Sequence, residues 1–128
     1  MYTVIVADDE PELRRSLVER TPWAECGFTV VGEAENGMEA LELVEKLEPD
    51  LLLTDIRMPF LSGIALARAV REIRPAMHIA FLSGYDDFTY AQQAIQYNII
   101  SYMLKPITLE ELKKELCVIR EKISLRYQ

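Results

Sequence analysis

Cysteine, histidine, tryptophan and long apolar runs are all scarce in this chain, and each scarcity removes a class of explanation. The two cysteines, Cys26 and Cys117, fall in no CxxC or metal-ligand spacing. Neither a disulfide framework nor a zinc site is expected, only free, buried thiols in a reducing cytoplasm. The single histidine, His78, stands at the start of an apolar run, far from where a strand-end site would form, and no ligand or phosphoacceptor role is expected of it. Trp23, the one tryptophan, reads as packing at the end of the first helix. No stretch approaches the roughly 18 to 20 apolar residues of a membrane span. The N-terminus lacks the basic and apolar regions and the small-residue cleavage site of a secretory signal. Positive charge is short as well: 14 Lys and Arg against 21 Asp and Glu give a net charge of −7, which argues against this segment gripping nucleic acid through its phosphates. DNA binding would have to reside in another domain. There is no repeat and no low-complexity tract.

What is present is ordinary globular material. Half of the 128 residues are apolar and 27% are charged, enough for one domain with one substantial core. Short apolar runs alternate with segments of helical period. Tyr2–Ala7 reads as a buried strand, and Glu12–Arg20 as a helix with Leu13 and Leu17 on one face and Pro11 in its first turn. Phe28–Gly32 is the second strand. Asn36-Gly37 starts a helix with Ala40, Leu41, Val44 and Leu47 inward, stopped by Pro49. Leu51–Thr54, the most uniformly apolar run, is expected at the centre of a sheet. Ser62 caps a helix whose inward residues are Leu66, Ala67, Val70 and Ile73. His78–Ser83 is the fourth strand. Asp86 or Asp87 opens a helix that carries Phe88, Ala91 and Ile95 and closes at Asn98. Ile100–Leu104 is the fifth strand, and a long helix starts at Leu109. Five strands alternating with five helices predict an α/β fold: a five-stranded parallel sheet, helices on both faces, and no internal domain boundary.

Parallel strands joined by right-handed crossovers share one C-terminal edge, and sites form beyond that edge where the strand order reverses. The chain places Asp8 and Asp9 after the first strand, Asp55 after the third, Ser83-Gly84 at the end of the fourth and Lys105-Pro106 after the fifth. Each has a plain reading alone: a helix cap for Asp9, a turn for Asp55 or Ser83-Gly84, a solvated lysine for Lys105. One such residue after each of four strands favours a joint site instead. If the first and third strands are neighbours, three carboxylates crowd one crevice against a single lysine. One lysine cannot neutralise three carboxylates, so a hard divalent cation is expected, and Mg2+ suits a few carboxylates, a backbone carbonyl and waters. The Ser83 hydroxyl, the Lys105 ammonium and backbone amides would then suit a phosphate group.

With "DDE" after the first strand, "LLLTDIRMP" and then Gly63, the Ser83 hydroxyl and "YMLKP", the chain resembles a bacterial response-regulator receiver domain over nearly its whole length. The stretches "TPWAECGFTVVGEAENGMEAL" and "LSGYDDFTYAQQAI" resemble receivers attached to a C-terminal DNA-binding module of the arabinose-regulator type. The resemblance implies a flavodoxin-like receiver fold with strand order 2-1-3-4-5. It implies that Asp55 takes a phosphoryl group from the phosphohistidine of a sensor histidine kinase, with no catalysis beyond phosphorylation and dephosphorylation of itself. Mg2+ would be held by Asp55, by Asp9 directly, by Asp8 through water and by the backbone carbonyl of Arg57. Lys105, joined to Pro106 by a cis peptide, would bind a phosphoryl oxygen. Ser83 would hydrogen-bond the phosphoryl group and Tyr102 would turn inward with it, while Tyr85 and Tyr90 line the same region. The altered face would be that of the fourth helix, fifth strand and fifth helix, and phosphorylation would favour a homodimer. The sequence departs from the commonest pattern at "PFLSG", with Phe60 and Ser62 where glycine and aspartate are frequent, and at Ser101 before Tyr102.

Leu109, Leu112, Leu116, Ile119 and Ile123 alternate three and four apart, chiefly as the inward face of the last helix. Residues 1–122 are read as the receiver. Residues 123–128, with Ile123 and Tyr127, are read as the end of that helix or the start of a linker to a C-terminal output domain; a stand-alone receiver is the alternative. Two other functions compete. A phosphatase of the haloacid-dehalogenase class also uses an aspartyl phosphate, Mg2+, a hydroxyl and a lysine, but that class has D-x-D at its first strand, whereas Asp55 is followed by Ile56 and Arg57. A receiver-like module that switches without phosphate is the other, although every residue needed for phosphorylation is present. A nucleotide-binding protein would want a Gly-rich loop where this chain has "ADDEPE".

Overall fold

The computed structural model describes residues 1–84 and 88–126. Strands β1 (Tyr2–Ala7), β2 (Phe28–Ala34), β3 (Leu51–Thr54), β4 (His78–Ser83) and β5 (Ser101–Leu104) form one parallel sheet in the order β2-β1-β3-β4-β5. They alternate with helices α1 (Pro11–Arg20), α2 (Gly37–Leu47), α3 (Gly63–Ile73), α4 (Phe88–Gln96) and α5 (Leu109–Arg126). This is the expected fold and strand order. β3 lies between β1 and β4 and every one of its residues is buried, which is why it reads as a continuous apolar run rather than an alternating one.

Period-two alternation sends the strand side chains into two cores, one on each face of the sheet. Val4, Val6, Leu51, Leu53, Ala80 and Leu82 meet α1 and α5, while Ile5, Ala7, Leu52, Ile79 and Phe81 meet α2, α3 and α4. Each fully buried Leu or Ile contributes about 1.5–3 kcal/mol relative to exposure. The helix starts follow local chemistry. Pro11 occupies the first turn of α1, Asn36 Oδ1 accepts the Glu39 N–H at 2.8 Å, and Ser62 Oγ accepts the Ala65 N–H at 3.1 Å. Glu48 ends α2 in the left-handed region at φ 44°, directly before Pro49. Trp23 packs in the core and its indole N–H donates to the Leu17 and Val18 carbonyls. No described helix is long and apolar enough to cross a membrane.

Several expectations are corrected. β2 extends to Ala34, because a register shift opposite Val4–Ile5 lets pairing continue to Ala7. Leu47, Ile73 and Leu109 are exposed rather than inward; each stands at the first or last position of its helix. Ile95 is 82% exposed while its neighbour Ala94 is buried, so α4 is rotated by about one residue from the expected face. Ile123 is fully buried and Ser124 Oγ lies 2.9 Å from the Tyr2 hydroxyl, so the last turns of α5 pack on the domain body. Cys117 is half-buried, unlike the fully buried Cys26. Tyr85, Asp86, Asp87 and Tyr127, together with the side chains of Phe88 and Ala91, lie outside the described residues.

Candidate functional site

Ala7 is paired with Thr54 across β1 and β3, so the residues that follow them leave the sheet side by side. The Asp8 N–H donates to the Ala34 carbonyl at 3.0 Å and the Asp55 N–H to the Ala7 carbonyl at 2.9 Å, continuing the ladder one step past each strand. Asp8 and Asp55 are buried, at 2% and 6% exposure, while Asp9 is exposed. One carboxylate oxygen from each of Asp8, Asp9 and Asp55 lies within 4.8 Å of the others.

Lys105 joins them from the far side of the sheet. Its N–H donates to the Ser83 carbonyl at 2.8 Å, which fixes its backbone beside the end of β4, and its peptide bond to Pro106 is cis. The ammonium then reaches back to Asp8 Oδ2 at 2.8 Å and Asp55 Oδ2 at 3.0 Å, with Glu10 Oε1 at 3.9 Å. The second carboxylate oxygens have backbone donors: Glu10 N–H to Asp8 Oδ1 at 2.9 Å and Ile56 N–H to Asp55 Oδ1 at 2.7 Å.

The electrostatics is that of one cation shared among too many acids. Burial raises the Asp8 pKa above the ordinary carboxylate value, and the charge of Asp55 adds to it; the hydrogen bonds from Lys105 and Glu10 only partly offset this. Burial also works against the Lys105 charge, but the hydrogen bonds and charges of Asp8 and then Asp55 outweigh it and hold the ammonium above the usual lysine value. Lys105 is therefore firmly charged, but its single charge, shared between Asp8 and Asp55, does not offset the burial of Asp8. A donor set of oxygens alone, with surplus negative charge, fits a hard divalent ion such as Mg2+. Asp8, Asp9 and Asp55 are the side chains that could hold it.

The remaining sequence-derived residues are distributed around this centre. Arg57, two positions after Asp55, is exposed, and its Nε donates to the Tyr90 hydroxyl at 3.3 Å with the guanidinium 6.0 Å from the ring centroid. Ser83 is fully buried at the end of β4. Tyr102 is half-buried in β5, edge-on to Phe81 at 6.1 Å between centroids and 88°. His78 is buried at the opposite end of the sheet, its Nδ1 3.3 Å from Arg126 Nη1.

Three contributors were not assigned from sequence. Arg14 Nη1 donates to the Asp8 carbonyl at 2.6 Å and its Nε pairs with Glu33 at 3.4 Å, bracing the acidic loop from α1. Gly37 and Gly63 clamp the loop that follows Asp55. A Cβ on Gly63 would overlap the Asp55 carbonyl oxygen, and one on Gly37 would overlap that of Leu61. A signal for both existed, since glycine in the first turn of a helix costs up to about 1 kcal/mol of propensity relative to alanine and so marks a place where something approaches closely.

Residues 4–117 match the response regulator receiver domain family. The chain is 37% identical over 126 residues to an uncharacterized response regulatory protein of Staphylococcus epidermidis, a match covering 98% of this chain and 49% of that protein. It is 35% identical over 113 residues to the transcriptional regulatory protein HptR of Staphylococcus aureus, covering 88% of this chain and 44% of that one. The chain thus spans about half the length of these curated relatives. The solved REC domain of AraT, a response regulator from Geobacillus stearothermophilus, shares the fold with a TM-score of 0.91 at 37% identity, over 99% of this chain and 98% of that one. Fold, acidic edge and family match converge, and the chain belongs to the response regulator receiver domain family.

Proposed function

We propose that this domain accepts a phosphoryl group on Asp55 from the phosphohistidine of a sensor histidine kinase and uses it to switch a protein surface. The observation that carries this reading is the convergence of three carboxylates at one sheet edge with Lys105 bonded to both Asp8 and Asp55. In the transfer, an Asp55 oxygen bonds to phosphorus as the phosphorus–nitrogen bond of the donor breaks, and the electron pair returns to the imidazole. The transition state is loose, so positioning and charge neutralisation carry most of the catalysis. The Ile56 N–H and Lys105 hold the two Asp55 oxygens and so orient the carboxylate, while Lys105 offers its ammonium to the phosphoryl oxygens. Asp9, Asp55, the Arg57 carbonyl and, through water, Asp8 would hold Mg2+, which would supply further neutralisation of the phosphoryl charge. An apolar groove of about 530 Å3 beside Lys105, between Leu13 and Leu17 of α1 and Pro106 and Ile107, offers the donor protein a surface next to the acceptor.

The phosphoryl group adds roughly −1.5 to −2 charge and strong acceptor oxygens. The Ser83 hydroxyl donates to it, and Tyr102 turns further inward toward Phe81. The altered face is α4, β5 and α5, where Ile95 and Leu104 are 82% and 41% exposed, and a second copy of the chain covers it on phosphorylation. This is a shift between two packings whose size is set by their differential contacts. The output is transcriptional and cytoplasmic, through a DNA-binding module outside this acidic segment. The relative HptR is named as a transcriptional regulatory protein, which supports that reading. Incubation with acetyl phosphate and Mg2+, followed by intact mass, should add one phosphoryl group to the wild type and none to Asp55→Asn. An equal gain in both proteins removes Asp55 as the acceptor.

A further inference from the structure

The turn between α1 and β2 is fastened to one stripe of α5, and each of these two segments carries one of the cysteines. The Lys113 ammonium pairs with Glu25 Oε2 at 2.8 Å, the Cys26 thiol approaches the Lys113 carbonyl at 3.8 Å, and a Cβ on Gly27 would lie 2.5 Å from Arg120 Cδ. Lys113, Cys117 and Arg120 are spaced four and three apart, hence on one helical face. Cys117 therefore sits between the two α5 residues that the turn touches. It packs against the core cluster that contains Cys26, and the Lys113 carbonyl that the Cys26 thiol approaches is the one four residues before Cys117, the acceptor of its helical N–H. Both are free; Cys26 is fully buried and Cys117 partly exposed. Neither has a part in the phosphorylation chemistry.

We propose that Cys26 and Cys117 form a reversible disulfide, joining the α1–β2 turn to α5, when the protein meets a small-molecule disulfide such as oxidised glutathione. Cys117, the reachable thiol, reacts first. Its sulfur gives its proton to water and bonds to one sulfur of the oxidant, whose S–S bond breaks and releases one thiolate. Cys26 then loses its proton and attacks the Cys117 sulfur, expelling the second small thiolate. The two protein thiols are oxidised and the small disulfide is reduced to two thiols. Burial, with the neighbouring Cys117 thiol, pushes the Cys26 pKa up to about 11, so Cys26 is a poor first nucleophile and attacks only a sulfur already beside it. The bridge spans segments distant in sequence, which restricts the unfolded chain and restrains α5 in the folded one. None of this depends on phosphorylation of Asp55.

The test incubates the whole chain with oxidised glutathione at neutral to mildly alkaline pH. The expected product is two hydrogens lighter by non-reducing intact mass, links the Cys26 peptide to the Cys117 peptide, and melts several degrees higher, all reversed by dithiothreitol. Cys26→Ala should stop at a stable glutathione adduct on Cys117, and Cys117→Ser should leave Cys26 unmodified in the folded protein. A wild type that keeps the adduct without the crosslink, that bridges only between two chains, or that does not react would overturn the proposal.

Discussion

Gly63→Ala probes how far the acceptor's position depends on a missing side chain. The Gly63 N–H donates to the Ile56 carbonyl at 2.6 Å, folding the start of α3 onto the acceptor loop. A methyl group there would overlap the Asp55 carbonyl oxygen and stand 2.8 Å from Ile56 Cα, against an ordinary non-bonded separation of about 3.5–4.0 Å. These are backbone atoms, so no rotamer change relieves the overlap, and either α3 or the Asp55–Ile56 peptide must shift by roughly 1 Å. Overpacking of that kind costs about 1–3 kcal/mol, from which the stiffer unfolded chain of alanine subtracts about 0.4–1 kcal/mol. A net loss of about 1.5 kcal/mol, with an unfolding entropy on the order of 270 cal/mol/K for a chain of this length, lowers Tm by about 6 °C. Misplacing a reacting group by about 1 Å costs on the order of 100-fold in rate. The assay is thermal melting together with the rate of acetyl-phosphate labelling by intact mass, beside Gly84→Ala as control, since a Cβ on Gly84 meets nothing within 4 Å. If Gly63→Ala melts and labels like the wild type, the steric reasoning is refuted.

Three further outcomes are expected. Mg2+ at about a hundred times its Kd should stabilise the domain by roughly 2.7 kcal/mol, about 10 °C in Tm, with EDTA reversing the gain and Asp9→Asn abolishing most of it; an equal shift in Asp9→Asn would remove Asp9 from the metal set. His78 is held below its usual pKa by burial and by the Arg126 and Arg71 cations, with Asp50 opposing them. The unfolded chain therefore takes up the proton first: stability is full above about pH 6.5 and falls as pH drops toward the folded pKa, a slope that denaturant titrations should find flattened in His78→Gln. Arg71 ties α3 to the segment before β5, its Nε donating to the Tyr97 carbonyl at 2.7 Å, Nη2 to Asn98 at 3.2 Å and Nη1 to Met77. Arg71→Ala leaves those carbonyls without their charged donor and should cost about 2–3 kcal/mol in chemical denaturation; a loss under about 0.5 kcal/mol, typical of an ordinary surface substitution, would contradict that role.

The amino-acid sequence by itself determined the elements and their chemical ends. Apolar runs bounded by Asp8, Asp55, Ser83 and Lys105 locate the strands and put charge at one edge, because burial, period and capping are properties of short segments. Even so, periodicity left the rotation of α4 open. Phe88, Ala91 and Ile95 make one apolar stripe, and Tyr90, Ala94 and Tyr97 another at the same spacing. Packing beside Phe81 and Tyr102, with the Arg71 bond to the Tyr97 carbonyl, turned Ala94 inward and left Ile95 in solvent. Only the tertiary structure decided which acids share Lys105, how Arg14 braces Asp8, and that Gly37 and Gly63 must lack a side chain. Those facts depend on strand order, register and the contact of residues as far apart as Asp8 and Lys105, and a short stretch of chain carries no information about the surface it will be pressed against.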